Sequence, residues 1–197
     1  MIIFYKQLIS ENKAWLIKAA WLLLIGMVAG AVAYFTFPEM LNSILEIFED
    51  KFKDVPDMSG ALALDIFRNN LIASSIALFG GIVFGLTPFF AIFFNGYIIG
   101  FILLTVLFLP NSNFLENLVF LSLALIPHGV FELPAFILAT GFGFSLGLSW
   151  ASDSAKNIRL EVFRKSFANA FKIYPLIVIL LLIAAFIEVF ITGRLIG

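Results

Sequence analysis

The chain has 197 residues, of which 62% are hydrophobic and 13% are charged, with a mean hydropathy of +1.07. This composition excludes a soluble globular domain, because such a domain carries about twice that share of charged residues. The net charge of −1 gives no basic surface for nucleic acid, and the absence of cysteine excludes disulfide bonds and cysteine-rich metal sites. We therefore expect an integral membrane protein that contacts the lipid bilayer and does not bind nucleic acid.

Four apolar segments are long enough to lie in a membrane, where one helical crossing takes about 20 residues. They cover residues 15–37, 69–109, 115–149 and 174–192. The first follows a run of polar residues, which is not typical of a cleaved signal peptide, and is predicted to be an anchored helix. The second has room for two helices with a tight turn at Thr87-Pro88. The sequence therefore predicts an all-α, polytopic transmembrane helical bundle that occupies residues 1–197 as a single domain.

The distribution of charge predicts the orientation of this bundle, because loops rich in lysine and arginine stay in the cytoplasm. Basic residues precede the first crossing and recur in the segment 150–173, whereas acidic residues dominate the segment 39–68. The two basic regions are predicted to be cytoplasmic, and the acidic segment is predicted to be extracytoplasmic. Five crossings of the cell membrane satisfy this pattern, with the N-terminus in the cytoplasm and the C-terminus outside.

The third apolar segment is longer than one crossing needs. It contains residues that interrupt a helix, and we predict a helix break at Pro127, Gly129 and Pro134. We expect residues 115–126 to dip into the membrane and return as a re-entrant half-helix, after which residues 128–149 cross from outside to inside. One long kinked helix is the plainer alternative.

Two polar segments carry apolar residues at helical spacing and are predicted to be amphipathic helices. The helix at residues 39–55 has acidic residues on its other face. It is expected to be either a cap packed on the bundle or a docking surface for a protein partner. The helix at residues 152–172 is basic, and we expect it to meet anionic lipid headgroups.

Glycines four positions apart recur along the predicted membrane helices, and this spacing lets helix backbones approach closely. The pairs expected to pack in this way are Gly26 and Gly30, Gly81 and Gly85, Gly96 and Gly100, and Gly143 and Gly147. We expect them to join helices of one chain. A homo-oligomer such as a dimer would leave the same pattern.

Ionisable side chains inside a bilayer are energetically costly, and they therefore mark functional positions. His128 is the only histidine, and Glu132 lies four residues later on the same face of a helix. The predicted topology places these two residues in the outer third of the membrane with other polar side chains. The intramembrane polar cluster is predicted to comprise His128, Glu132, Glu188, Asn69, Asn70 and, at a deeper level, Asn95. It is expected either to hold an ion, a proton or a polar ligand, or only to lock helices together by hydrogen bonds.

Four short motifs occur in a fixed order along the membrane segments. They are Asn69-Asn70-Leu71, Asn95-Gly96 with Gly100, Pro127-His128-Gly129 with Glu132, and Ala184-Ala185-Phe186-Ile187-Glu188 followed by Ile191-Thr192. Together they resemble the stage II sporulation protein M family. The resemblance implies a polytopic membrane fold, and it implies a scaffold role because the sporulation members look like scaffolds that recruit cell-wall hydrolases to the membrane.

Three functions are compatible with these features. A non-enzymatic membrane scaffold would collect partner proteins through residues 39–55. A transporter or channel would use the polar cluster as an ion, proton or small-solute site. An intramembrane metalloenzyme would take His128, Glu132 and Glu188 as metal ligands, and the single histidine makes this the weakest hypothesis. We expect a scaffold first and a transporter second, with no enzymatic activity and no cofactor.

Overall fold

A computed structural model of the protein describes residues 2–37, 59–109, 113–152 and 155–193. All regular elements within these ranges are helical. The helices are α1 (Ile2–Glu11), α2 (Lys13–Thr36), α3 (Gly60–Phe79), α4 (Leu86–Leu107), α5 (Phe114–Leu148) and α6 (Arg159–Ile187), and a π-helical turn, Glu188–Thr192, continues α6. Within the described ranges, the five helices α2 to α6 are long and apolar enough to cross a membrane. The predicted all-α bundle of about five crossings is therefore confirmed.

The five long helices alternate in direction, so their ends meet in two groups. Gly143 on α5 lies against Ala77 near the end of α3. Ser149 at the end of α5 shares a hydrogen bond of 2.8 Å with Ser166 near the start of α6. We call this end of the bundle, which also contains the connection at residues 80–85, the turn end. The opposite end contains the starts of α3 and α5, the end of α4 and the π turn.

The predicted turn at Thr87-Pro88 is wrong. The chain turns instead at residues 83–85, where Phe84 and Gly85 have φ values of 49° and 69°. Glycine adopts this left-handed conformation at little cost, and so it is the residue that ends the turn. Thr87 and Pro88 lie in the first turn of α4, where a backbone N–H has no helical partner and proline is tolerated.

The predicted re-entrant half-helix is also wrong, and the alternative of a single long helix is confirmed. Helix α5 runs without reversal for 35 residues, with Pro127 and Pro134 inside it. Proline is tolerated within membrane helices because neighbouring helices and local adjustments satisfy the backbone groups that it leaves free. At about 1.5 Å per residue, α5 is about 52 Å long and exceeds the hydrocarbon core of a bilayer.

The predicted basic amphipathic helix is not a separate element. From Arg159 onward its residues form the first half of α6, which continues without a break into the last membrane crossing. Ser166, Asn169 and Ala170 are buried against the bundle, while the lysines and arginines of this half are exposed. The other predicted amphipathic helix, at residues 39–55, lies outside the described residues.

Helix α5 is the central helix of the bundle, because it contributes to both apolar clusters of the core. In one cluster Ala139 and Phe142 pack with Ile173 and Ile177 of α6 and with Leu78 of α3. In the other cluster α5 packs with α2 and α4 through a separate set of residues, including Ala19, Leu23, Ile92, Phe136 and Phe144. The position of α5 therefore determines where its side chains meet the other helices.

Glycines bring the helix backbones into direct contact within this single chain. A Cβ atom at Gly96 or Gly100 on α4 would meet the carbonyl oxygen of Leu23 or Met27 on α2. At the turn end, a Cβ at Gly143 or Gly147 would likewise meet the backbone of residues 77–85, and one at Gly81 would meet the backbone of Gly143. Gly85 differs from the predicted packing pairs, because its left-handed turn, rather than close helix packing, requires glycine.

A buried hydrogen-bond network, which the sequence patterns did not predict, joins three helices at the turn end. The Ser145 hydroxyl on α5 donates to the Asn12 side-chain carbonyl at 3.1 Å, and the Asn12 amide donates to the Leu8 carbonyl at 3.0 Å. The hydrogen bond between Ser149 and Ser166 adds α6 to the network. These bonds hold the end of α5 in register with the starts of α2 and α6.

Replacing Gly100 with leucine is expected to destabilise the bundle. The new side chain must force α2 and α4 apart, because even a Cβ would overlap the Met27 backbone. Overpacking of this kind costs about 1–3 kcal/mol, which corresponds to a fall of about 2–12 °C in the midpoint of thermal unfolding. The midpoint can be measured by circular dichroism on the protein purified in detergent.

Gly129→Ala is the matched control, because a Cβ at Gly129 meets nothing within 4 Å and alanine favours helix formation. Its midpoint should equal or exceed that of the parent protein. Equal midpoints for the Gly100→Leu variant and the parent would contradict the close packing of α2 and α4.

Candidate intramembrane polar site

The centre of the candidate site is a pair of ionisable residues on α5. His128 and Glu132 are one helical turn apart, and both side chains therefore lie on the same side of α5. Both are partly buried within the bundle. Within the next two turns, the same helix enters the close-packed core at Ala135 and Ala139. The pair thus lies at the boundary between the core and the opposite end.

Glu188 joins this pair from α6. It opens the π turn, in which the Gly193 amide donates to the Glu188 carbonyl five residues earlier. One ligand atom from each of His128, Glu132 and Glu188 can be chosen so that all three lie within 4.8 Å of one another. Single π turns occur frequently at functional sites, because the extra residue redirects one side chain. Here the π turn begins at the residue that contributes the third ionisable group.

Helix α3 forms the remaining wall and completes an open cleft. The cleft has a volume of about 450 Å³. Its lining residues are Asp65, Ile66, Asn69, Asn70, His128, Glu132 and Glu188. Asp65 was not predicted as a site residue. It precedes Asn69 by four residues, and this one-turn spacing on a helix was the signal that could have identified it.

The structure brings five of the six predicted cluster residues to one cleft, but not Asn95. Asn95 lies on α4 beside Gly96, and Gly96 packs against α2. It does not line the cleft, which α3, α5 and the π turn enclose. The residues predicted to break the helix, Pro127, Gly129 and Pro134, flank His128 and Glu132 within the continuous α5.

Three buried polar atoms on the elements that form the cleft have no hydrogen-bond partner among the described residues. The Nδ1 atom of His128 is buried without a partner, as are the hydroxyls of Ser74 and Thr192. Ser74 follows Asn70 by one turn, and Thr192 follows Glu188 by four residues in the π turn. Among the described residues, no side-chain hydrogen bond or ion pair joins the cleft residues to each other. Buried polar groups are normally satisfied, so this arrangement differs from a self-contained hydrogen-bonded lock.

The arrangement of side chains defines the chemistry that the cleft can support. The imidazole can donate or accept through its two nitrogens, and the carboxylates of Glu132 and Glu188 accept hydrogen bonds or bind cations. Asn69 and Asn70 add amide groups that can do both. Such a set can hold a cation, a proton or the polar part of a small molecule. Two carboxylates in one partly buried cleft repel each other when both are ionised, which favours a positively charged occupant.

Comparison with known proteins places the chain in a family. The sequence model of the stage II sporulation protein M family matches residues 19–193, which include every residue that lines the cleft. An uncharacterized protein of Methanocaldococcus jannaschii is 31% identical over 130 residues, which are 66% of this chain and 70% of that protein. No solved structure matches the chain. The chain belongs to the stage II sporulation protein M family.

Proposed function

We propose that the protein is a non-enzymatic membrane scaffold that organises partner proteins and does not conduct solutes. The observation that carries this proposal is the close packing of the turn half of the bundle, which closes the inner side of the polar cleft. The single histidine also argues against a multi-histidine metalloenzyme site.

The inner side of the cleft is closed because the turn half of α5 is buried. Residues 135–147 are all buried except Ile137, which is partly buried. The Thr140 hydroxyl in this stretch donates back to the Phe136 carbonyl at 2.8 Å, so its proton is already used within the helix. Glycine contacts between Gly143, Gly147 and the connection after α3 leave no space between the backbones. A polar solute in the cleft would therefore meet an apolar barrier toward the turn end.

The proposed orientation places the turn end in the cytoplasm. The exposed basic residues of this end are Lys6, Lys13, Lys18, Lys156, Arg159, Arg164, Lys165 and Lys172. Basic residues at helix ends favour the cytoplasmic side of a membrane. The N-terminus would then be cytoplasmic, the C-terminus extracytoplasmic, and the cleft would face the outer half of the bilayer. The lysines of α6 would meet anionic lipid headgroups.

Two features support partner binding rather than self-association. The family resemblance implies a scaffold, and the acidic segment at residues 39–55 carries the amphipathic pattern of a docking helix. The glycines that could have joined two copies of the chain contact backbone atoms within one chain instead. The proposal therefore requires no dimer.

Transport is the second candidate, and the ionisable lining of the cleft favours it. Ionisable groups inside a membrane often mark ion or proton pathways, and the cleft contains a histidine and three carboxylates. This function would require the turn half to open so that an ion could pass between α3, α5 and α6.

Single cysteines introduced into this cysteine-free chain will test the orientation. We expect Glu116→Cys, at the start of α5, to react with a membrane-impermeant maleimide applied to intact cells. Asn157→Cys, before α6, should react only after the membrane is permeabilised. Both side chains are exposed, so exposure alone cannot account for a difference between them. The reverse pattern would contradict the proposed orientation.

Charge reversal in the acidic segment will test partner binding. The triple variant Glu46→Lys, Glu49→Lys, Asp50→Lys should reduce the proteins that co-purify from crosslinked native membranes by about tenfold, because like charges across an interface are strongly unfavourable. Glu116→Lys is the control on the same proposed side of the membrane, and it should leave co-purification unchanged. An unchanged set of partners with the triple variant, measured by quantitative mass spectrometry, would contradict docking through this segment.

Flux measurements will separate the scaffold from the transporter. The purified protein reconstituted into vesicles should conduct protons and divalent cations no faster than protein-free vesicles do, as fluorescent indicators inside the vesicles would report. Conduction by the parent protein that disappears in Glu132→Gln would contradict the scaffold proposal and support transport. Glutamine keeps the shape of the side chain but cannot ionise.

A further inference from the structure

We propose that His128, Glu132 and Glu188 bind one divalent transition-metal cation of the zinc class, which joins α5 to the end of α6. This inference concerns occupancy of the cleft and does not depend on the scaffold proposal.

The spacing of the three side chains fits a single ion. Their ligand atoms lie within 4.8 Å of one another and come from two separate elements of the bundle. Ligands of a tetrahedral zinc ion lie about 2.0–2.2 Å from the metal and hence about 3.3–3.6 Å from each other. Binding therefore requires rotation about the flexible glutamate side chains to close a difference of up to about 1.5 Å.

The types of ligand indicate the class of cation. One imidazole nitrogen and two carboxylate oxygens suit zinc, manganese or iron(II), which accept mixed nitrogen and oxygen ligands. Calcium and magnesium prefer sites made only of oxygen. His128 and Glu132 are separated by one helical turn, a spacing at which two helical side chains reach the same ion. The cleft therefore favours a transition metal over the hard cations.

An unsatisfied nitrogen in the cleft provides a second indication. His128 Nδ1 is buried and has no hydrogen-bond partner among the described residues, although a buried nitrogen of this kind is normally satisfied. A neutral imidazole has one nitrogen with a free lone pair, and metal coordination would use it. Asn69 and Asn70 line the same cleft and offer carbonyl oxygens either to the ion or to a water bound to it.

Electrostatics favours the same occupant. Glu132 and Glu188 lie in a partly buried cleft in which two negative charges are costly to hold together. A divalent cation neutralises both carboxylates at once and satisfies their oxygens. The bound ion would also connect α5 to the π turn at the end of the bundle where the glycine contacts of α3 and α5 are absent.

Titration of the purified protein with zinc will test this inference. The full chain in detergent is first treated with a chelator and dialysed, and zinc chloride is then added in a calorimeter at pH 7.5. We expect one zinc ion per chain and a higher midpoint of thermal unfolding with zinc, because a ligand that binds only the folded state stabilises it. Lowering the pH to 5.5 should weaken binding, because the ligands must be deprotonated.

We expect zinc affinity to fall about tenfold or more in each of the variants Glu132→Gln and Glu188→Gln. Removing a group that only supports a metal ligand already lowers metal affinity by about tenfold or more. Both variants keep the size of the side chain, so they remove the charged ligand without a large change in packing. Glu161→Gln, at an exposed position in the first turn of α6, is the matched control and should bind zinc as the parent does.

Three results would overturn the inference. The parent protein could fail to bind zinc at micromolar concentrations, or the Glu132 and Glu188 variants could bind it as tightly as the parent. Calcium could also displace zinc at equal concentration, which would exclude the transition-metal assignment. The titration contains no partner protein, so its outcome is separate from that of the co-purification experiment on residues 46–50.

Discussion

The close contact between the backbone of α5 and the connection after α3 is the constraint on which the rest of the structure depends. Gly143 and Gly147 allow this approach, because any side chain there would overlap the backbone of residues 77–85. Once α5 is held at the turn end, its 35 residues continue as one uninterrupted helix to the opposite end. That helix carries His128 and Glu132 into the cleft, although both lie more than two turns away from the contact.

Helix α5 divides the bundle into two chemically different halves. Its turn half is buried among apolar residues such as Phe142 and Ile177, and its few polar groups bond within the chain. Its other half faces a cleft in which Asp65, Glu132 and Glu188 carry ionisable groups. In a bilayer, ionisable groups are tolerated only where they face protein or water rather than lipid. These three ionisable residues all lie in the half of the bundle that contains the cleft.

Segment lengths and hydropathy, together with the distribution of charge, were sufficient to predict the five crossings, because each apolar segment must span a bilayer of known thickness and basic segments favour one side. Local irregularities were not predictable in this way. Prolines suggested a turn at Thr87-Pro88 and a reversal near Pro127, but proline is compatible with the first turn of a helix and with the interior of a packed membrane helix. The turn instead depends on the left-handed Gly85, which hydropathy does not report.

The candidate site was likewise predictable from the sequence only in part. Depth along each helix predicted that His128, Glu132, Glu188, Asn69 and Asn70 lie at one level. Depth placed Asn95 at a deeper level, but it could not show which helices are neighbours, and so Asn95 stayed in the predicted cluster. Asn95 belongs to α4, which packs on α2. The π turn at Glu188 depends on backbone hydrogen bonds that have no simple sequence pattern.

The turn half of the bundle is closely packed, and the cleft contains polar side chains without hydrogen-bond partners among the described residues. Together these two features favour a bound ion that stays in place. A transported ion must bind weakly enough to leave and must find a path, and here the path would require separating Gly81 from Gly143 and exposing Leu146 and Ile177, which are fully buried. A structural ion needs neither step. His128, Glu132 and Glu188 would coordinate this ion, and the ion would hold the π turn against α5. A bundle held in this way would give partners a fixed surface, so the proposed scaffold and the proposed metal site are physically compatible, although each is tested separately.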